Sequence, residues 1–167
     1  MAPSRDGGLW ASFRTRYRVE RFGNDGRVLT TFVRSVGWFP DRDPATPTSL
    51  AEDGPQPTVL SIVEDDEGLL RVLIAVPAPQ WQQGIGEREL QPGFESAGVY
   101  HTPILDHRKV YNFVVEVIDP TKGAVVVSHR GEGYAIGWLD NQHLATYRED
   151  DVGIPMIEVF RVEVVRP

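Results

Sequence analysis

Apolar residues along this chain come in short bursts of β-branched and aromatic side chains, each closed off by Gly, Asp, Asn or Pro. Such bursts, so closely punctuated, read as strands rather than as helices, whose apolar positions recur every three or four residues over a longer run. Strands are predicted at Leu9–Phe13, Tyr17–Phe22, Arg27–Val36, Thr58–Val63, Leu69–Val76, Tyr111–Ile118, Ala124–His129, Tyr134–Leu139, His143–Glu149 and Met156–Val165. In LLRVLIAV and FVVEVI the apolar residues are consecutive, not alternating. That pattern fits a sheet covered on both faces.

The strands repeat as two kinds of hairpin. VERF (Val19–Phe22), VEVI (Val115–Ile118) and IEVF (Ile157–Phe160) share an apolar–Glu lettering, and the first two run on through a Gly-ended turn into another strand. SIVEDDEGLLRV and IGWLDNQHLATY form the second kind, a strand, a polar turn and a strand opening with Leu, and RDGGLWASF looks like the second half of it. Alternating, the two hairpins make a four-stranded unit. Val115 and Ile157 are 42 residues apart, a normal length for one blade of a β-propeller. The expected fold is therefore all-β, about three antiparallel blades in a single domain over 1–167. The first unit lacks its first strand (about 8–36), the second is complete (about 58–130), and the third lacks its last strand (about 134–165). A β-sandwich or barrel of ten strands is the alternative.

In an up-and-down unit the turns alternate between two ends. The tight polar turns at Asn24–Gly26, Glu64–Gly68, Asp119–Gly123 and Asp140–Gln142 fall at one end, and the connections 37–57, 77–110 and 149–155 fall at the other. Function concentrates on loops held by a rigid scaffold, so the long-connection end is where a binding site is expected.

A net charge of −7 argues against nucleic acid, which needs a concentrated basic surface. Arg14, Arg16, Arg18 and Arg21 alternate along a strand region and read as a solvated face, with an anion-binding patch as the functional alternative. There are no cysteines, which removes disulfides, thiol nucleophiles and thiolate metal sites and leaves the compartment open. No apolar run reaches the length of a membrane span, and MAPSRDGGLW lacks the pattern of a signal peptide.

No sequence with catalytic spacing is present: no GxSxG elbow, no P-loop, no GxGxxG after a strand. Trp10 and Trp138 lie in strands and read as core, whereas Trp38 and Trp81 flank the long connections, where they pack the loops down or line a pocket. His101 and His107, with Asp106 between them, have the residue types of a metal site or an acid–base pair but match no established metal spacing. Glu64–Glu67 lacks the DxDxDG pattern of a calcium loop and reads as a solvated hairpin tip. Asp41, Asp43, Asp106, Asp150 and Asp151 all lie on the long-connection end, where converging carboxylates would hold calcium.

The stretches YRVERFGNDGRVL, SIVEDDEGLLRVLIAVP, VVEVIDPTKGAVVVSHR and LDNQHLATYREDDVGIPMIEVFRVEVV resemble the C-terminal half of uncharacterised bacterial six-bladed β-propellers, loosely similar to the NHL-repeat and TolB-like propellers. The resemblance implies a propeller-type binding or scaffold module whose long-connection end meets a protein or small ligand, with no catalytic residue. The alternative it implies is a calcium-dependent hydrolase of lactonase type. Three blades do not close a six-bladed ring. The chain is accordingly expected to be either a piece of a longer propeller or one half of a homodimer that completes the ring.

Overall fold

The computed structural model describes residues 1–43, 49–150 and 152–164. Strand makes up 48% of the chain and helix 9%, so the fold is all-β. The first sheet is a meander of β1 (Ala2–Pro3), β2 (Leu9–Ser12), β3 (Arg18–Phe22) and β4 (Val28–Val33). A long connection carrying the short helix α1 (Leu50–Asp53) leads to β5 (Thr58–Glu64) and β6 (Leu70–Pro77). A second long connection follows. It holds the two-stranded hairpin of β7 (Glu89–Leu90) and β8 (Tyr100–His101), and then the single turn of helix α2 (His107–Val110). The chain returns as β9 (Tyr111–Asp119) and β10 (Ala124–Gly131), which complete the second sheet in the order β5, β6, β9, β10. The third sheet is β11 (Tyr134–Trp138), β12 (His143–Glu149) and β13 (Pro155–Arg161). All strand pairs are antiparallel, and no sheet closes into a barrel.

Each of the ten predicted strands is present, His143–Glu149 with its bounds unchanged and the others with bounds shifted by one to a few residues. Val165, predicted in the last strand, and residues 44–48 of the first long connection lie outside the described residues. One strand has no counterpart in the sequence pattern. Ala2–Pro3 pairs with Trp10 and Leu9, so the first sheet has a short first strand where none was expected. Two residues, one of them Pro, carry no periodicity and offer little backbone to the ladder, and only their pairing identifies them.

The second sheet sits between the other two. Leu70, Val72, Ile74, Val114 and Ile118 pack with Trp10, Tyr17, Val19 and Phe32 of the first sheet and its connection. Leu73 and Val115, one residue out of phase, pack with Ala135 and Leu144 of the third. Side chains alternate across a strand, so consecutive apolar residues in β6 and β9 supply both faces at once. Every residue of β6 from Leu70 to Val76 is buried. The sheets meet mainly through their first strands: β1 and β2 contact β5, and β11 contacts β5, β6 and β9. Last strands stand away from this seam. β4 exposes Val28, Leu29 and Val33, and β13 exposes Met156, Ile157, Val159 and Phe160.

Two buried ionic groups tie the layers. Glu116 of β9, with no solvent exposure, accepts from the Tyr17 hydroxyl at 2.5 Å and the Ser128 hydroxyl at 2.9 Å and pairs with Arg34 at 3.1 Å. Burial, and then the bond to Glu116, raise the Tyr17 pKa far above the ordinary phenol value, so Tyr17 is the neutral donor of the pair. On the opposite face Arg71 pairs with Asp65 at 3.2 Å, donates to the Val162 carbonyl at 2.7 Å and lies 5.9 Å over the Trp138 ring. One clamp joins the second sheet to the first, the other joins it to the third.

Candidate functional site

The long connections leave the sheets at one end, as the alternation of turns requires. Neighbouring segments mark that end: the Val59 N–H donates to the Arg14 carbonyl, Arg16 pairs with Asp41 at 3.4 Å, and the Gly133 N–H donates to the Asn112 side chain. Within the second connection the Trp81–Gly84 turn folds back on α2. The Leu105 and Asp106 N–H groups both donate to the Gly84 carbonyl, at 2.8 and 3.0 Å. A Cβ at Gly84 would lie 2.6 Å from the Asp106 carbonyl oxygen, so only glycine permits this approach.

That fold-back fixes Asp106 at the start of α2. Its carboxylate accepts from the Arg108 N–H at 3.0 Å and takes the Arg108 guanidinium in a two-point pair at 2.9 and 2.8 Å. These bonds hold the Asp106 pKa below the usual carboxylate range and raise that of Arg108. Arg108 also reaches Glu149 of the third sheet at 2.8 Å and lies 5.8 Å over the Tyr147 ring. The Tyr147 hydroxyl donates to the other Glu149 oxygen at 3.0 Å, which raises its own pKa. Tyr134 stands opposite Tyr147 in the β11–β12 ladder, and its ring meets His107 at 5.1 Å and Tyr111 at 6.4 Å.

The result is a cleft of about 260 Å³ bounded by Leu105, Arg108, Tyr134, Ile136 and Tyr147. Shallow depressions of about 370 and 320 Å³ adjoin it, and Arg108 borders both. Chemically the surface offers aromatic faces, an aliphatic rim in Leu105 and Ile136, and a guanidinium already balanced by two carboxylates. Spaces of this size suit single side chains of a partner better than a whole drug-sized molecule.

Of the residues singled out in the sequence, Asp106 and His107 meet here, and Asp150 follows Glu149 directly. Asp150 closes its own turn, accepting from the Val152 and Ile154 N–H groups at 3.0 and 2.8 Å. His101 lies on β8, where its Nε2 is 3.5 Å from Glu89, apart from His107. Trp38 packs against the core with its ring 6.2 Å from Tyr17 and 6.1 Å from Phe39. Trp81 covers Gly54 at the end of α1, so it pins one long connection to the other. Asp41 is exposed and paired with Arg16, Asp43 is exposed, and Asp151 lies outside the described residues. Among the described residues no group of three His, Cys, Asp or Glu is placed to hold a metal ion. Three of the four arginines singled out in the sequence are individually paired: Arg16 with Asp41, Arg18 with Glu20, Arg21 with Asp6.

Arg108, Tyr134 and Tyr147 carry the cleft and were not singled out from the sequence. A signal was partly there, since a hairpin turning at Asp140–Gln142 places Tyr134 near Tyr147. An irregularity between Ala135 and Gly137 shifts the pairing by one residue and brings the two tyrosines face to face.

No helix among the described residues is long and apolar enough to cross a membrane. Comparison of the chain with protein-family models, with curated proteins and with solved structures gave no match.

Proposed function

We propose that this chain is a non-catalytic binding module of propeller type, whose three meanders are successive blades and whose long-connection end binds a protein. The observation that carries the reading is the convergence at Arg108. The second long connection and the third sheet meet there around an open aromatic cleft, while the opposite ends of the same strands close in tight turns. Tyr and Arg are the residue types that anchor protein interfaces, and here they are already oriented by their own bonds. The blade assignment is supported by the four-, four- and three-stranded meanders in chain order and by their contact through first strands, with last strands splayed outward.

The same reading makes the chain half of a ring. The outward faces of the first and third sheets carry exposed apolar residues, Val28 and Val33 on one, Ile157 and Val159 on the other. In the second sheet, built to the same plan, β6 and most of β9 have both faces covered. A second copy with its first sheet against the third sheet of the first copy covers all of these faces through one twofold axis.

Selection of extended peptides from a display library tests the binding face. Enriched peptides are expected to lose about tenfold or more in affinity on Tyr134→Ala or Arg108→Ala, and to keep it on Thr121→Ala at the far end. Peptides indifferent to Tyr134 and Arg108, or a library that yields no binder, would remove the support for this face.

A further inference from the structure

The cleft at Arg108 carries a sign of charge. Its lining holds two carboxylates, Asp106 and Glu149, and one permanent cation, Arg108, which both share at 2.8 Å. Two negative charges against one positive leave one negative charge in the lining, and His107 offsets it only when protonated. The two adjoining depressions keep this balance. They add Glu132 and Glu158 against Lys109 and Arg148, two charges of each sign, in a chain of net charge −7. On the reading of this end as a protein-binding face, we propose that the cleft takes a basic side chain, an arginine or lysine of the partner protein.

The shape and chemistry of the lining suit such a group. Arginine and lysine place a charged head on an aliphatic stem, and the stem is readily buried along apolar surface. Leu105 and Ile136, both exposed, supply that surface at the rim. Tyr134 and Tyr147 supply aromatic faces, whose electron-rich centres attract cations. Tyr147 already shows the contact, since the Arg108 guanidinium lies 5.8 Å over its ring. A volume of about 260 Å³ holds one long side chain. Glu149 is the anion within reach of the incoming head. One of its oxygens holds Arg108 and the other the Tyr147 hydroxyl, and its side chain is 30% exposed. A carboxylate offers about four lone-pair sites, so a further donor adds to this network without displacing Arg108. Repulsion by Arg108 is offset because its guanidinium is pinned between two carboxylates. An acidic side chain meets the remaining negative charge, and an apolar one leaves it unanswered. Charge matching of this kind selects the partner more than it raises affinity, so the expected effects are moderate.

Four blocked pentapeptides, alike except for an arginine, lysine, norleucine or glutamate at the centre, test it. Each is titrated into isotope-labelled protein with amide resonances followed by NMR. The arginine and lysine peptides are expected to move the amides of Tyr134, Ile136 and Tyr147, and to bind about tenfold more tightly than the norleucine peptide. Glu149→Gln removes a charge and keeps the shape. It is expected to weaken the arginine peptide about fivefold and to leave the norleucine peptide as it was. Norleucine binding as tightly as arginine, on the same amides, keeps this end as a binding face and overturns the basic partner. Tightest binding by the glutamate peptide, or an arginine peptide indifferent to Glu149→Gln, overturns it as well. No movement of these amides with any of the four overturns the basic partner and the binding face together.

Discussion

Glu116 has no solvent exposure, and its stability rests on three donors: Tyr17, Ser128 and Arg34. Removing one partner of a buried ionic cluster leaves the rest uncompensated, so Glu116→Ala is expected to cost about 3 kcal/mol in urea unfolding. Tyr17→Phe removes one donor and is expected to cost about 1–2 kcal/mol. A loss below about 0.5 kcal/mol for Glu116→Ala would place the carboxylate outside the structural network. Acid sensitivity belongs to the same scale. Arg108 holds Asp106 below the usual carboxylate range, and the Gln142 and His143 N–H groups do the same for Asp140. In the unfolded chain these carboxyls titrate at about 3.9. Depressed folded values mean that the stabilisation is complete above that pH and is lost as pH falls through the folded values. Unfolding midpoints should therefore drop as pH is lowered from about 5 into the acid range, and less steeply in Asp106→Asn, which keeps the cap and lacks the charge.

At the scale of elements, what could be read from the sequence followed what is local. β-branched runs and Asp- or Gly-bearing turns define strands by their own chemistry: Asp25, Asp65, Asp119 and Asp140 each accept from a backbone N–H two residues on. The consecutive apolar residues of β6 also announced a strand covered on both faces. Ala2–Pro3, the β7–β8 hairpin and the one-turn helices α1 and α2 had no such local signature; pairing and packing make them. The candidate site was half legible for the same reason. Asp106 and His107 lie on a long connection, whereas Tyr134 and Tyr147 meet only because an irregularity in β11 resets the ladder. The two-faced burial of β6 has a direct check. Leu73 and Ile74 are adjacent and point to opposite layers, and each change to Ala is expected to cost about 2–5 kcal/mol by chemical unfolding. If either change costs under about 0.5 kcal/mol, one face of the second sheet is open.

For the whole molecule, the layered core leaves an asymmetry: a middle sheet whose inner strands β6 and β9 are covered on both faces, and two outer sheets that leave Val28 and Val33, and Ile157 and Val159, in solvent. Exposed apolar faces of this kind are an unsatisfied interaction. In the ring proposed above, a second copy would cover both at once. The solution mass, measured by light scattering over a tenfold range of concentration, tests it most directly. A single species at twice 18.7 kDa is expected, unchanged across the range, with conversion to monomer by Ile157→Glu. A steady 18.7 kDa, or a mass that grows without limit, contradicts a ring closed by two copies.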